Sequence, residues 1–427
     1  MEKMKLVNLF NFVFFCWWSL TGISCYTFDD VYRLKEDLFK KSNYSTMVRP
    51  KLNQSEQTEI NIHLFLRQLL ELNSREQVMR TMGWFTITWV DEKLRWNPDN
   101  YGGIIEMNVL QKEIWIPDLT ATNSIDEDAI FGGDNLRVYV NYTGNIDWEP
   151  GFTFTTSCIV DVTMFPVDYQ TCSVTVAPWM TTNQEIFINE TKVVTDNLLV
   201  PNGQFDIVDS SATNDFFTLS GNPSNTLTQS NFTLKLKRKA TFYLLNVIGP
   251  IAAISFLCGV SFLVPSESGE KLTVSITVLL SLTVFLGVID ASLPKTSDSI
   301  SYFVIYVTSL IGMSFLAVVG NSIIISIHNK NPGATIPNCL KLLLIRKYKK
   351  LKSKEEANGK VFPEFLDRNS VISVTNLELS CCGICGKGIA PACNHWPEVA
   401  KIVDRVALIL FSLVLVAINA RFSFLMM

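Results

Sequence analysis

Apolar and polar positions are spread unevenly along the chain, and their distribution divides it before any motif is read. Residues 6–20 are predominantly apolar, follow Lys3 and Lys5, and lead into the small residues Gly22 and Ser24. That order predicts a secretory leader over 1–24, cut before Cys25. Residues 26–238 hold no long apolar run, but short alternations recur. Ile62, Leu64 and Leu66 alternate with His63 and Phe65. Trp84, Thr86 and Thr88 alternate with Phe85, Ile87 and Trp89, and Leu136, Val138 and Val140 with Arg137 and Tyr139. A period of two predicts half-buried strands, and Asn97-Pro98-Asp99, Gly132-Gly133-Asp134 and Pro201-Asn202-Gly203 punctuate them as turns. The expectation for 25–240 is an all-β sandwich of immunoglobulin-like type, preceded by a helix over about 31–41.

Four apolar segments follow, at 241–264, 271–291, 299–327 and 401–425, separated by a polar stretch over 328–400. Each is long enough to cross about 30 Å of hydrocarbon. One such run is compatible with a buried core helix. Four together predict a four-helix transmembrane bundle, with the helix of 399–405 continuing the last span below the membrane.

Composition sharpens this picture. Hydrophobic residues make up 48% of the 427 positions and charged residues 18%, a balance set by the four runs. The net charge of −4 gives no reason to expect a nucleic-acid partner. Sequons begin at Asn43, Asn53, Asn141, Asn189 and Asn231, all before the first span. Lys341, Arg346, Lys347, Lys349, Lys350, Lys352 and Lys354 cluster between the third and fourth spans. Glycan acceptors belong outside the cell and basic loops inside, so both termini are expected to be extracellular and the protein to sit in a plasma membrane. Cys158 and Cys172 are then the natural disulfide of the oxidising side, with Cys25 left over.

One segment is more specific than any pattern. From Cys158 to Cys172 the chain encloses thirteen residues around Phe165-Pro166-Val-Asp168. This resembles the Cys-loop pentameric ligand-gated ion channels, whose namesake loop has this spacing and core. A disulfide closing a loop of this size removes chain entropy equivalent to about 3 kcal/mol. Trp84, Trp89 and Trp96-Asn97-Pro98 resemble a second signature of that family, and Trp115-Ile-Pro117-Asp118 a third. The stretch after Cys172, Trp179-Met-Thr-Thr-Asn-Gln184-Glu-Ile186, is most similar to the serotonin type 3 branch, beside which stand nicotinic acetylcholine subunits.

The resemblance implies an aromatic cage between subunits that holds an amine agonist by cation–π attraction, about 0.5–2 kcal/mol per ring. Trp84 and Trp179 match cage positions. Thr122 stands where acetylcholine-type subunits carry Tyr, and 209–229, the expected capping region, offers only Phe216 and Phe217 as aromatics. Trp89 and Trp96 are expected in the core. In the same family, Phe165, Pro166 and Asp168 of the loop, with Glu76 and the basic pair Arg238-Lys239, couple the ligand-binding domain to the spans. Surface pairs of that kind contribute under about 1 kcal/mol each.

The second span carries the chemistry of a pore. Thr273, Thr277, Leu280, Val284 and Val288 follow steps of four, three, four and four, which keeps them on one helical face. Five copies around an axis give two hydroxyl rings below three apolar rings, the latter a gate by dewetting, with Leu280 the gate by resemblance. Glu270 at the start of that span makes a carboxylate ring that favours cations, and Asp290 a second ring at its far end. Pro250 matches the kink of the family's first span.

The expected partners are therefore a small-molecule agonist, permeant cations, membrane lipid and further subunits in a homo- or hetero-pentamer, with a postsynaptic membrane as one setting. No cofactor and no resident metal are implied. Alternatives stay open: an accessory subunit with no agonist site of its own, or gating by metal ion or proton through Asp126, Glu127 and Asp128. Cys382, Cys385, Cys393 and His395 do not have the spacing of a standard zinc site. No Ser-His-Asp set or phosphate-binding glycine loop argues for an enzyme.

Overall fold

The computed structural model describes residues 26–126, 131–195, 198–218, 226–331 and 396–426. The leader over 1–24, Glu127 and Asp128, the basic cluster at 341–354 and the cysteines from Cys339 to Cys393 lie outside the described residues. The chain divides into two compact units: Met1–Asp161 with Val167–Lys239, and Val162–Pro166 with Ala240–Met427.

The first unit opens with helix α1, Phe28–Lys35, extended by a π turn over Glu36–Lys41. It starts three residues before the predicted boundary because Thr27 caps it. The Thr27 hydroxyl accepts from the Asp30 N–H, and the Asp30 carboxylate accepts from the Thr27 N–H. That reciprocal cap satisfies two amides that the helix cannot.

Eleven strands follow among the described residues. β1 (Thr58–Asn73), β2 (Val78–Val90), β3 (Glu106–Leu110), β5 (Arg137–Asn141), β6 (Asn145–Trp148), β7 (Gly151–Ser157) and β9 (Ile186–Val194) form one sheet in the order β3-β5-β6-β2-β1-β9, with β7 also on β2. β4 (Leu119–Ala121), β8 (Tyr169–Pro178), β10 (Phe205–Thr218) and β11 (Thr226–Arg238) form the other, in the order β10-β11-β8-β4. Most pairs are antiparallel, while β9 runs parallel to β1. The two sheets make a β-sandwich. Ile60, Ile62, Leu64, Phe85 and Ile87 from one sheet and Val174, Val176, Phe232 and Leu234 from the other are fully buried, so the period of two read from the sequence marks the inner faces. Trp89 and Trp96 are buried as well, and Trp89 meets Trp115 and Trp148 edge to face.

A disulfide ties the sheets at one end. The Cys158–Cys172 disulfide joins the residue after β7 to β8, with Cα atoms 5.3 Å apart. Beside it lies an ion pair that the sequence placed correctly and sized wrongly. Arg238 Nε donates to Asp168 Oδ1 at 2.7 Å and Nη2 to Oδ2 at 3.0 Å, while Nη2 also donates to Ser74 Oγ at 2.9 Å. Gln170 Nε2 donates to the same carboxylate, and the guanidinium sits 4.6 Å from the centre of the Phe205 ring. The side chains are only 5% and 2% exposed, so this is a buried bidentate pair and not a wet surface contact. Glu76 is not its partner: its N–H caps the turn on Asn73 Oδ1. Lys239 pairs instead with Asp206 and donates to the Asn202 carbonyl.

Among the described residues the second unit holds four helices of membrane length. α2 spans Thr241–Leu263, α3 Lys271–Asp290, α4 Tyr302–His328 and α5 Trp396–Met426. All are long and apolar enough to cross a membrane. α2 changes from a π turn over Leu244–Ile248 to α geometry at Gly249, where Pro250 supplies no N–H to the ladder. α4 starts at Tyr302, later than the predicted 299, because the Ser301 hydroxyl caps it by accepting from the Phe303 N–H. α5 starts at Trp396, five residues before the predicted span. Its first turns are amphipathic, with Trp396, Val399 and Ala400 buried and Lys401 exposed.

Polar side chains lock these helices. Asn321 of α4 is fully buried; its Nδ2 donates to Ser261 Oγ at 3.0 Å and Ser275 Oγ at 2.6 Å, joining α2, α3 and α4. Tyr306 of α4 donates to Asn419 of α5 at 2.8 Å and stacks on Phe422. Lys271, with no exposed side-chain surface, pairs with Asp404 of α5 and points at the Phe262 and Val264 carbonyls. Phe165, in the loop tip that belongs to this unit, packs on Tyr243 at 4.8 Å and Phe303 at 6.3 Å.

The buried Asp168–Arg238 pair yields a direct prediction. Arg238→Gln strands a buried carboxylate and destabilises the first unit by about 3–5 kcal/mol, whereas Asp168→Leu with Arg238→Met recovers most of that loss. Thermal unfolding of the full-length protein in detergent measures both; equal losses in the single and double variants contradict the assignment.

Candidate functional site

α3 has one face packed and one face bare. Ser275, Val278, Leu282 and Ile289 are buried against the neighbouring helices. Thr273, Thr277, Leu280, Val284 and Val288 are exposed, Leu280 by 62% and Val284 by 60%. Every residue of the predicted stripe thus lies on the face that the chain itself leaves uncovered. The Thr277 hydroxyl donates to the Val274 carbonyl at 2.9 Å, which turns its oxygen lone pairs away from the helix backbone. Ser275 donates to the Lys271 carbonyl and accepts from Asn321, so its hydroxyl is committed to the bundle. Among the hydroxyls of the lower helix, the threonines are open and the serine is structural.

Glu270 and Asp290 mark the two ends of that helix, and both are exposed. Lys271, next to Glu270, faces the other way and is neutralised by Asp404. The cation of the Glu270-Lys271 dipeptide is withdrawn into the bundle, while the carboxylate stays on the bare side. This division was not legible in the sequence, where the two charges are adjacent and Asp404 is far away.

A second set of residues lies in the sandwich. Trp179 follows β8 and is 65% exposed. Asp118 builds its loop: the Asp118 carbonyl accepts from the Trp179 N–H at 3.0 Å, Oδ2 from the Met180 N–H at 2.7 Å, and Oδ1 from the Thr181 hydroxyl at 2.5 Å. Sequence reasoning noted Asp118 only as part of a motif. Its position just before β4, which pairs with the end of β8, is what gives it this task. Asn183 and Thr228 extend the network, with the Thr228 hydroxyl donating to Asn183 Oδ1 at 2.6 Å.

Trp84 is on β2, in the other sheet, on the face turned away from the core. It stacks on Phe65 with centroids 5.3 Å apart and planes within 7°. The register places Asp147 opposite Thr88 and Tyr139 on the same face, with Glu149 next along and accepting from Thr86 at 3.4 Å. Burial and the Glu149 charge hold the Asp147 carboxyl above the ordinary aspartate range. Elsewhere in this unit Asp91 is raised chiefly by burial, and Tyr44, which donates to it at 2.6 Å, is raised by burial and by that carboxylate. The Tyr44 oxygen also accepts from the Trp115 N–H, so that pair is architectural.

The other predicted ligand positions are less compact. Phe216 and Phe217 are exposed on β10 opposite Thr228 and Leu227, and no ring contact joins them to Trp179 among the described residues. The Thr122 N–H donates to the Thr175 carbonyl at 2.9 Å and its hydroxyl at 3.4 Å. Trp84 and Trp179 lie in separate parts of the sandwich, so one chain does not assemble a cage from them. Asp126 accepts from the Thr155 N–H and caps a turn. Among the described residues, no cluster of His, Cys, Asp and Glu has the geometry of a metal site.

The sequon asparagines fall in two groups. Asn43, Asn53 and Asn189 are exposed, and Asn141 opens the β5–β6 turn. Asn231 lies within β11, and its Nδ2, the atom that carries a glycan, donates to Asp215 at 2.6 Å.

Comparison with known proteins agrees with both halves. Residues 31–240 match the model for the neurotransmitter-gated ion-channel ligand binding domain, and 247–379 that for the neurotransmitter-gated ion-channel transmembrane region. The chain is 29% identical to acetylcholine receptor subunit beta-type acr-3 of Caenorhabditis elegans, over 81% of this chain and 69% of that protein. It is 33% identical to acetylcholine receptor subunit alpha-like of Manduca sexta, over 73% and 62%. It is 30% identical to neuronal acetylcholine receptor subunit beta-4 of Gallus gallus, over 74% and 66%. The matched region thus spans about two thirds of these relatives' own length. With a disulfide loop, a β-sandwich and membrane-length helices matching along 31–379, this chain belongs to the neurotransmitter-gated ion-channel family, the Cys-loop receptors, and not to a family of enzymes.

Proposed function

We propose that this chain is one subunit of a pentameric, agonist-gated, cation-selective channel of the plasma membrane, with both termini outside the cell. The observation that carries this reading is the bare stripe of α3. A helix in a membrane gains nothing by leaving hydroxyls toward lipid, and Thr273 and Thr277 are accounted for if that face lines water. Five copies give hydroxyl rings at Thr273 and Thr277 and apolar rings at Leu280, Val284 and Val288. The narrowest apolar ring dewets and blocks ions until the helices move apart. Glu270 sets the sign of the permeant ion, helped by the removal of Lys271 to Asp404; Asp290 concentrates cations at the other end.

The agonist site lies between neighbouring copies, with Trp179 supplied by one and Trp84 by the next. Two ring faces, with Glu149 and Asp147 on the same sheet face as Trp84, favour a protonated or quaternary amine. The relatives are named as acetylcholine receptor subunits, whereas the loop after Trp179 resembles the serotonin type 3 branch. Both amines are therefore candidates. A second reading has its own support: Phe216 and Phe217 stand apart from Trp179, and the Thr122 hydroxyl is spent on Thr175. An accessory subunit, which lines the pore while a partner subunit completes the agonist site, fits those facts. Coupling to the pore runs through the loop from Cys158 to Cys172, with Asp168 and Arg238 fixing its base and Phe165 and Pro166 its tip.

Two measurements test the proposal. Leu280→Ser places a hydroxyl in the apolar ring and is expected to give a standing current without agonist, reversing near the sodium potential. Adding Glu270→Ala moves that reversal toward zero, and an unmoved reversal contradicts the selectivity role. Separately, cells expressing the chain with and without related subunits are screened with acetylcholine and serotonin. Trp179→Ala is expected to raise the half-maximal concentration of the active amine at least tenfold at unchanged surface expression, and an unchanged concentration removes Trp179 from the site.

A further inference from the structure

One buried side chain of the bundle is costlier than its role as a helix lock explains. Asn321 of α4 and Ser261 of α2 have no exposed surface, and Ser275 of α3 is 1% exposed. The three make one clasp. Both N–H groups of the Asn321 amide are engaged, at 3.0 Å on Ser261 Oγ and at 2.6 Å on Ser275 Oγ. Each hydroxyl accepts from the amide and donates to its own helix, Ser261 to the Cys258 carbonyl at 2.7 Å and Ser275 to the Lys271 carbonyl at 2.9 Å. The Asn321 Oδ1, by contrast, is buried with no hydrogen-bond partner among the described residues. A buried acceptor left unpaired is a net loss, and an apolar trio of similar shape holds three helices together without it.

What the amide holds points to its purpose. Ser275 lies between Thr273 and Thr277, and Lys271 lies four residues before it, so Lys271 and Ser275 share one side of the helix. Lys271 is held by Asp404 of α5 and Ser275 by Asn321 of α4. Two anchors on the same side, one turn apart, fix how α3 is turned about its own axis. Beyond them the helix has no such hold. Thr277, Ser281 and Thr283 donate to the Val274, Thr277 and Leu280 carbonyls of α3 itself, and among the described residues no side chain of α3 after Ser275 hydrogen-bonds another helix. The turn has chemical consequences. Successive helical residues are about 100° apart, so a rotation by one position replaces Thr277 on the open face by Ile276 or Val278, an apolar side chain in either direction.

We infer that Asn321 is the positioning residue of the ion path: its amide clasp on Ser275 sets the rotation of α3 that presents the Thr273 and Thr277 hydroxyls on the open face. A single buried amide fixes register in coiled coils in the same way, at a cost in stability. The inference rests on the reading of α3 as the pore-lining helix. Glu270 adjoins Lys271, whose own anchor on Asp404 does not involve the clasp, so the sign of the permeant ion and the rotation of the helix are separable.

Channels that conduct without agonist, through Leu280→Ser, provide the readout. In that background Asn321→Leu is expected to lower the unitary conductance at least twofold, and to slow the modification of Thr277→Cys by a charged thiol reagent at least threefold. Ser275→Ala removes the same bond through one hydroxyl and carries the same expectation where Asn321→Leu fails to reach the surface. The two variants are non-additive, so Asn321→Leu on top of Ser275→Ala adds little. Ser261→Ala leaves the bond to α3 in place and keeps the conductance of the unaltered chain. The reversal potential is the same in all of them. A purely structural role of Asn321 gives fewer channels of unaltered conductance and unaltered modification rate, and that result overturns the assignment. Failure of Thr277→Cys to react while Asn321 is intact removes the pore reading and the role of the clasp with it; reaction at one rate with and without Asn321 removes the role of the clasp alone.

Discussion

Hydrocarbon offers no partner to a peptide N–H or C=O, and the helical unit is built around that constraint. Each membrane-length segment satisfies its backbone internally, so only side chains remain to hold the bundle together or to face something other than lipid. The side chains divide accordingly. Asn321, Ser261, Ser275, Tyr306 and Asn419 spend their hydrogen bonds between helices, and Lys271 spends its charge on Asp404. Thr273, Thr277 and Glu270 do none of this and stay on the open face of α3. In a medium where unsatisfied polarity is expensive, that contrast separates the polar groups that build the bundle from those left on its open face.

The sandwich is held by a different set of interactions. Its two sheets are joined at one end by a disulfide, and beside it Asp168, just before β8, pairs with Arg238 at the end of β11 in the same sheet. A buried ion pair is not a strong source of stability. Its geometry is exacting, however, because bidentate hydrogen bonds, Ser74, Gln170 and the Phe205 ring all fix the guanidinium. Phe165, three residues before Asp168 in the loop, packs on Tyr243 and Phe303.

Much of this was legible in the sequence where the signal is local or periodic. The strand alternation marked Ile62, Phe85 and Val138 as core, the cysteine spacing marked the disulfide, and steps of three and four marked the stripe from Thr273 to Val288. Local chemistry that was present but unread explains the helix starts: Thr27 with Asp30, and Ser301, are caps that place α1 and α4 more accurately than hydropathy does. What stayed hidden was long-range. Nothing near Lys271 signals that a residue 133 positions later will neutralise it. Nor does Asp118 signal that it will organise the loop of Trp179. Hydropathy treats Ser275 and Thr277 alike, yet packing assigns one to the bundle and the other to the open face. The separation of Trp84 from Trp179 is of another kind: under the proposed function the site is shared between copies and is incomplete in any one of them.

Chemical accessibility along α3 tests the central claim most directly. In a background that already conducts without agonist, single cysteines at Thr273, Thr277, Val284 and Val288, and for comparison at Ser275, Val278 and Leu282, are exposed to a charged thiol reagent while the current is recorded. Lasting block from the first group and none from the second is the pattern expected of a pore lined by that stripe. Block from Ser275, Val278 and Leu282 instead, or from neither group, places the ion path elsewhere and contradicts the account.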